Sequence, residues 1–120
     1  MTDQTNTYFR AIEQASGSSP LTDGQHRAYI AWFNSFRNHS SAFEVNDLPW
    51  PRDIHDFVET LQAAGVAEFA VTETSTGLME GIHKLAAEGC TMQGLCTVTR
   101  SEFCWDGNDT KEYQGILFRT

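Results

Sequence analysis

The sequence predicts an α+β fold, in which two N-terminal helices precede the order α-β-α-β-β and a two-layer sandwich covers a small mixed sheet of three to four strands. Three observations lead to this prediction. Apolar residues recur at spacings of three and four in several segments, as on one face of a helix. Between these segments apolar and polar residues alternate, as in half-buried strands. Two of the helical segments end in glycine directly before a strand.

The length and composition favour one globular domain. The chain has 120 residues, of which 40% are hydrophobic and 20% charged. A chain of this length buries roughly two-thirds of its unfolded surface, which is enough for an independent core. We therefore expect a single domain over residues 1–120, with a helical part at 1–41 and an α/β part with a C-terminal hairpin at 42–120.

The charge restricts the classes of partner. A formal net charge of −8 repels nucleic acid and anionic membrane, so no direct binding to either is expected. It leaves open an acidic mimic of nucleic acid that occupies a basic groove. No apolar run approaches the about 20 residues of a membrane span, and the first residues lack the pattern of a signal peptide. The expected location is the cytoplasm.

The helical part begins with a helix over residues 7–15, which the Ser/Gly/Pro cluster at 16–20 ends. A second helix starts at Thr22, because Thr22 and Gln25 have the spacing of a capping box. Its aromatic stripe is either a binding groove or core, and we predict core. Replacing Phe33 by alanine should then cost roughly 3–5 kcal/mol. The stripe consists of Tyr29, Trp32, Phe33 and Phe36.

A short edge strand at 42–45 and a rigid link at 48–51 lead into the third helix. Two prolines fix the backbone of the link around Trp50, which either packs flat on the domain or contacts a partner. Asp53 is predicted to cap the helix that follows.

A strand at 66–72, a helix at 77–88 and a strand at 92–99 predict a right-handed crossover between two parallel strands. Gly65 and Gly89 stand where left-handed residues end the preceding helices. The alternation in the last strand places one set of apolar residues on a common face, namely Met92, Cys96 and Val98.

The chain then reverses at 106–109 and returns as a strand at 111–119. Gly94 and Gly115 interrupt their strands, and each marks either a bulge or a close approach to another group.

No residues form a convincing catalytic or metal-binding constellation, so we predict no catalytic residues, metal or cofactor. His55 and Glu59 can meet on one helix face, but such pairs also occur on solvated surfaces. Cys90, Cys96 and Cys104 have the spacing C-x5-C-x7-C, which lacks the close cysteine pairs of structural zinc sites.

The loop at residues 72–77 is the strongest candidate for binding a small ligand. Ligands collect at the carboxyl ends of parallel strands, and helix N-termini favour anions. Thr74, Ser75, Thr76 and Gly77 could hold an anion there or contribute to an enzyme site, although Glu73 would repel the anion. The alternative is that one of the hydroxyls simply caps the helix.

Aromatic residues are the candidate contacts for a protein partner. Phe103 and Trp105 lie at the predicted hairpin tip, where they either anchor a partner or fold back on the sheet. Trp50 is the third candidate.

Six segments resemble those of a family of short, acidic, uncharacterised proteins, and the resemblance covers residues 22–120. Such proteins occur in gut anaerobic bacteria, often on mobile elements. The resemblance implies a bacterial cytosolic setting and an accessory role, and it transfers no catalytic or binding residues. The segments are 43–45, 48–50, 56–58, 64–66, 75–79 and 94–100.

Taken together, these observations predict a non-enzymatic protein that binds another protein. The alternatives are a small anionic-ligand or enzyme domain that uses the loop at 72–77, and an acidic mimic of nucleic acid. The identity of the partner and the oligomeric state do not follow from the sequence.

Overall fold

Two N-terminal helices precede alternating strands and helices and a final pair of strands in the computed structural model, which describes residues 2–15, 20–104 and 107–120. The helices are α1 (Asp3–Ala15), α2 (Asp23–Arg37), α3 (Ile54–Ala63) and α4 (Leu78–Ala87), and a 3₁₀ turn at Pro51–Asp53 leads into α3. The strands are β1 (Glu44–Val45), β2 (Glu68–Val71), β3 (Thr91–Cys104) and β4 (Gly107–Arg119). The predicted α+β fold with a mixed sheet is confirmed.

The helix ends follow local sequence signals in most places. Thr22 and Gln25 form the predicted capping box, each side chain accepting the other's backbone N–H, at 3.2 and 3.0 Å. Gly65 and Gly89 are left-handed as predicted, with φ of 75° and 89°. The prediction that Asp53 caps α3 is wrong, because Asp53 belongs to the 3₁₀ turn and its side chain makes no capping bond.

The predicted bounds of the first helix and of the hairpin turn agree only in part with the structure. Helix α1 begins at Asp3, earlier than the predicted residue 7. The predicted break at 16–20 lies mostly outside the described residues, which resume at Pro20. Of the predicted reversal at 106–109, Asp106 lies outside them, and β4 begins directly after it at Gly107.

The strand order is β1-β2-β4-β3. β2 and β3 are parallel, as predicted, but they are not neighbours, because β4 lies between them and is antiparallel to both. The adjacent parallel pair is instead β1 with β2. Packing explains the order: β4 brings Phe118 against Phe69 of β2, with ring centroids 5.7 Å apart, whereas β3 carries the exposed Leu95 and suits an edge.

A β-bulge in β3 changes which residues share a face. The pairing with β4 shifts between Met92 and Gly94, and Gly94 adopts a φ of 127°. Because the extra residue reverses the alternation, Met92 lies opposite to Cys96 and Val98. The predicted common face is therefore wrong: Val98 is fully buried, whereas Met92 is 51% exposed. Of the two alternatives for Gly94, a bulge or a close approach, the bulge is confirmed.

The hydrophobic core lies between the helices and the face of the sheet that carries Phe69 and Phe118. Phe57 of α3 meets Phe69 edge-on, at 6.4 Å between centroids. Trp32 of α2 is fully buried and stacks on Phe9 of α1 at 5.6 Å. These contacts join α1, α2, α3 and the sheet in one cluster.

The aromatic stripe of α2 is only partly core. Trp32 is buried, and Tyr29 packs against the core while partly exposed. Phe33 and Phe36 are 39% and 43% exposed, so the prediction that Phe33 is a core residue is wrong. The buried face of α2 is turned away from Phe33, which instead lies beneath the guanidinium of Arg37, at 5.5 Å. The buried residues of the helix are Gly24, Ala28, Ala31, Trp32 and Ser35.

The sheet curls over its opposite face, so that its two edges, β1 and β3, approach each other. The segment before β1 hydrogen-bonds to the far edge strand: Ser41 N–H donates to Thr99 O at 3.0 Å, and Ser101 N–H donates to Asn38 O at 2.8 Å. Gly115 makes the predicted close approach, since a Cβ there would lie 3.1 Å from the Val71 carbonyl oxygen.

Candidate functional site

Trp50 is a large, exposed side chain on a backbone that is held in place. The residue is extended, with φ −55° and ψ 150°, and stands between Pro49 and Pro51. Its side chain is 68% exposed. The alternative that Trp50 packs flat on the domain is therefore wrong, and its role as a contact residue for a partner stays a prediction.

Two anchors fix the segment that carries Trp50. The backbone N–H of Leu48 donates to Glu73 Oε1 at 2.7 Å, and the Leu48 side chain is buried. Gly81 of α4 provides the space, because a Cβ at that position would lie 2.7 Å from Leu48 Cδ1. The absence of a side chain at Gly81 thus allows the segment to lie directly on α4.

A groove of about 320 Å³ separates this segment from the start of α4. Trp50 and the two prolines form one wall, and the loop before α4 with its first turn forms the other. A second groove, of about 310 Å³, shares Arg27, Pro49 and Trp50 with the first. The polar side chains of the first groove are Arg27, Asp47, Glu73, Ser75, Thr76 and Glu80. We call it the Trp50 groove.

The Trp50 groove carries an excess of negative charge. Arg27 pairs with Asp47, at 2.5 Å between Nη1 and Oδ2. Glu73 accepts hydrogen bonds from Leu48 N–H and, at 2.9 Å, from the Ser75 hydroxyl. Glu80 is exposed and has no ion pair among the described residues. Three carboxylates thus stand against one guanidinium.

The candidate ligand loop contributes to this groove. Ser75, Thr76 and Gly77 line it, and Thr74 is exposed nearby in the loop. The alternative that a hydroxyl caps α4 is wrong, because Gly77 occupies the N-cap position without a side-chain capping bond. The Ser75 hydroxyl instead donates a hydrogen bond to Glu73. With carboxylates as its nearest charged neighbours, the loop is poorly suited to an anion.

The other two aromatic candidates, Phe103 and Trp105, fall partly or wholly outside the described residues. The backbone of Phe103 pairs with Asn108 in the hairpin. The Phe103 side chain and the whole of Trp105 lie outside the described residues.

The remaining sequence candidates form no reactive centre. Burial raises the pKa of the Cys90 and Cys96 thiols, which keeps both protonated and weakly nucleophilic at neutral pH. Within residues 2–15, 20–104 and 107–120, no three His, Cys, Asp or Glu side chains are grouped so that they could hold a metal ion.

His55 bridges α3 to the end of α4. Its Nδ1 lies 2.6 Å from Glu88 Oε2, and its Nε2 lies 3.2 Å from Glu59 Oε1. The hydrogen bond with Glu88, followed by the charge of Glu59, raises the pKa of His55 above its ordinary value of 6.5. The arrangement binds a proton more tightly than an isolated imidazole does.

We therefore expect His55 to titrate above pH 6.5 in the folded protein. Because the folded-state pKa is raised, protonated His55 stabilises the fold; this contribution is complete below the unfolded pKa and is lost as the pH rises through the folded one. Glu88→Gln should lower the midpoint more than Glu59→Gln does. An NMR titration of the imidazole measures both, and a wild-type midpoint at or below 6.5 would contradict the assignment.

Sequence reasoning missed the acidic composition of the groove. Asp47, Glu73 and Glu80 come from three separate segments, and no local pattern brings them together. The only signal in the sequence is Glu73, whose charge disfavours an anion at the loop.

Among the described residues, no helix is long and apolar enough to cross a membrane. Comparison with curated proteins and with solved structures gives no match. The profile of one protein family matches residues 27–120, which include the Trp50 groove and the whole sheet. The chain therefore belongs to the family described as a domain of unknown function, DUF7698.

Proposed function

We propose that the protein is a non-enzymatic interaction protein that binds another protein through Trp50. The observation that carries this proposal is a tryptophan that is 68% exposed on a backbone fixed by two prolines. Tryptophan is enriched among the residues that dominate binding energy at interfaces. A backbone already held in one conformation loses little entropy when a partner binds.

The neighbouring surface supports a contact of this kind. Met79, in the first turn of α4, is 83% exposed. Trp50, Pro49 and Pro51 add further apolar area along the grooves. Around them stand Arg27, Asp47 and Glu80, so an apolar centre with a charged rim is available.

The proposed setting is the cytoplasm of a bacterium, where the protein would serve as an accessory factor of a mobile element. This part of the proposal rests on the resemblance to short acidic proteins of gut anaerobic bacteria. The net charge of −8 agrees with the acidic character of those proteins.

The charge distribution disfavours the acidic-mimic alternative. A mimic needs carboxylates in rows at the spacing of phosphates, free to meet a basic groove. Many of the carboxylates here are instead paired within the fold, as Glu44 is with Arg100 and Asp47 with Arg27. Glu102 likewise lies 3.7 Å from Lys111.

Capture from a nuclease-treated lysate of the host tests the proposal. We expect wild-type protein to retain one partner near stoichiometric amounts at physiological salt, and Trp50→Ala to retain at least tenfold less, as for loss of a hot-spot residue worth about 2 kcal/mol or more. Leu95→Ala is the matched control, since Leu95 is 77% exposed on the edge strand β3. Equal retention by wild type and Trp50→Ala would refute the proposal.

A further inference from the structure

The Trp50 groove has a chemistry that selects among partners. Its three carboxylates, Asp47, Glu73 and Glu80, face a space that also contains Arg27. Arg27 is already paired with Asp47, so its charge is compensated. The remaining two carboxylates make the groove attractive to a cation and repulsive to an anion.

Hydrogen-bonding capacity remains unused in the groove. Each oxygen of Glu73 accepts one hydrogen bond, from Leu48 N–H and from the Ser75 hydroxyl. An ionised carboxylate has about four acceptor sites, so Glu73 can accept further donors. Glu80 is exposed and forms no ion pair within the described part of the chain.

The exposed indole adds a second, independent attraction. Cations bind over the face of tryptophan more strongly than over any other aromatic side chain. Trp50 stands on the wall of the same groove that holds Glu73 and Glu80. A planar cation can therefore stack on the ring and donate to a carboxylate.

The second groove beside Trp50 contains a carboxylate oxygen without a hydrogen bond from the described part of the chain. Asp53 lines it, and Asp53 Oδ2 is buried without a hydrogen bond among the described residues. The nearest cation is Arg52, whose Nε lies 3.8 Å away.

We propose that the partner inserts an arginine side chain into the Trp50 groove, stacked on the indole and hydrogen-bonded to Glu80 and Glu73. This inference rests on the proposed function, since it specifies the partner of the same surface. Arginine fits better than lysine because its guanidinium is planar, is more weakly hydrated and presents a fork of donors to a carboxylate. The partner is thus a protein with an exposed basic segment.

A defined peptide tests the proposal without knowledge of the partner. The probe is acetyl-Ala-Ala-Arg-Ala-Ala-amide, with matched peptides that carry Lys, Gln or Glu in place of Arg. The Trp50 indole N–H and the amides of Thr76 and Gly81 report binding in NMR titrations at low salt. We expect saturable shifts with the Arg peptide, weaker binding of the Lys peptide, and no shifts with the Gln and Glu peptides.

Variants then locate the interaction. Glu80→Gln should weaken binding of the Arg peptide about 2- to 5-fold, the range for one exposed ion pair. Trp50→Ala, whose binding is monitored through the amide of Thr76, should lower the affinity for the Arg peptide by at least as much. Glu112→Gln, a matched loss of one exposed carboxylate on β4, should leave the affinity unchanged. Equal shifts with the Arg and Gln peptides, or unchanged affinity of Glu80→Gln, would overturn the proposal.

The lysate experiment separates this inference from the proposed function. A partner lost with Trp50→Ala but retained in full by the Glu73→Gln/Glu80→Gln double variant supports the interaction protein and refutes arginine insertion. Binding of the Arg peptide without any Trp50-dependent partner supports the chemistry of the groove and refutes the proposed function.

Discussion

Replacing Trp32 by alanine should lower the free energy of unfolding by about 3–5 kcal/mol, the range for a large aromatic residue removed from a core. Trp32 is fully buried and stacks between Phe9 and Phe36, at 5.6 and 5.5 Å between ring centroids. Its indole Nε1–H also donates to Asn6 Oδ1 at 2.9 Å. The substitution would leave a cavity where α1 joins α2.

Phe33→Ala is the matched control, one position further along the same helix. Phe33 is 39% exposed and contacts Tyr29, 6.2 Å between centroids, and Arg37. We expect a loss of about 1 kcal/mol or less, as for a partly exposed position outside the core. Urea unfolding monitored by circular dichroism compares the two variants. Similar losses for both would contradict the assignment of Trp32 as the core residue.

This pair of residues shows how far the sequence predicts the fold. The spacing of apolar residues correctly predicted helix α2, and the spacing of Thr22 and Gln25 predicted its capping box, because both signals are local. It did not distinguish Trp32 from Phe33, because the width of the buried stripe depends on which elements pack against the helix. Here Phe9 of α1 covers Trp32 and leaves Phe33 at the surface.

The strand order shows the same limit. The alternating residues of β2 and β4 predicted two strands, and Gly94 predicted a bulge, since both are local features. The insertion of β4 between β2 and β3 is decided by the contact of Phe69 with Phe118, which are distant in sequence. A β-α-β pattern alone is compatible with adjacent strands or with strands separated by a third.

The sequence predicted individual residues of the candidate site, but not that they form one groove with an excess of negative charge. Trp50 and the loop residues Ser75 and Thr76 were selected separately, as a partner contact and as a ligand loop. The structure brings them into one groove because Leu48 is held by Glu73 and lies on Gly81. The same hydrogen bond holds the Glu73 carboxylate in the groove, beside the loop residues that could otherwise hold an anion.

Beneath the curled face of the sheet, Arg100 and Glu44 form an ion pair that no sequence pattern indicated. Arg100 Nε donates to Glu44 Oε1 at 2.7 Å and its Nη2 donates to Oε2. The side chains are 14% and 5% exposed. Thr72 Oγ1 also donates to Glu44 at 3.0 Å, and the Arg100 guanidinium lies 3.8 Å from the centroid of the Tyr113 ring. Hydrogen bonding to Glu44 raises the pKa of Arg100 above its ordinary value.

Arg100→Met should therefore destabilise the protein by about 3–5 kcal/mol, because it leaves the Glu44 carboxylate buried without its counter-charge. The double variant Glu44→Gln/Arg100→Met should lose less than the single variant, since it removes the uncompensated charge as well. Arg52→Met is the control for loss of an arginine: its side chain is 79% exposed, and we expect a change within about 0.5 kcal/mol.

A double-mutant cycle measures the coupling between the two side chains. It compares the urea unfolding of wild type, Glu44→Gln, Arg100→Met and the double variant. A buried pair predicts that the double variant is more stable than the sum of the single losses implies. Additive losses would mean that the two charges act independently. The pair joins β1 to β3, the two edges of the sheet, so its loss should also increase hydrogen exchange at the amides of Ser41 and Ser101, which link the same edges.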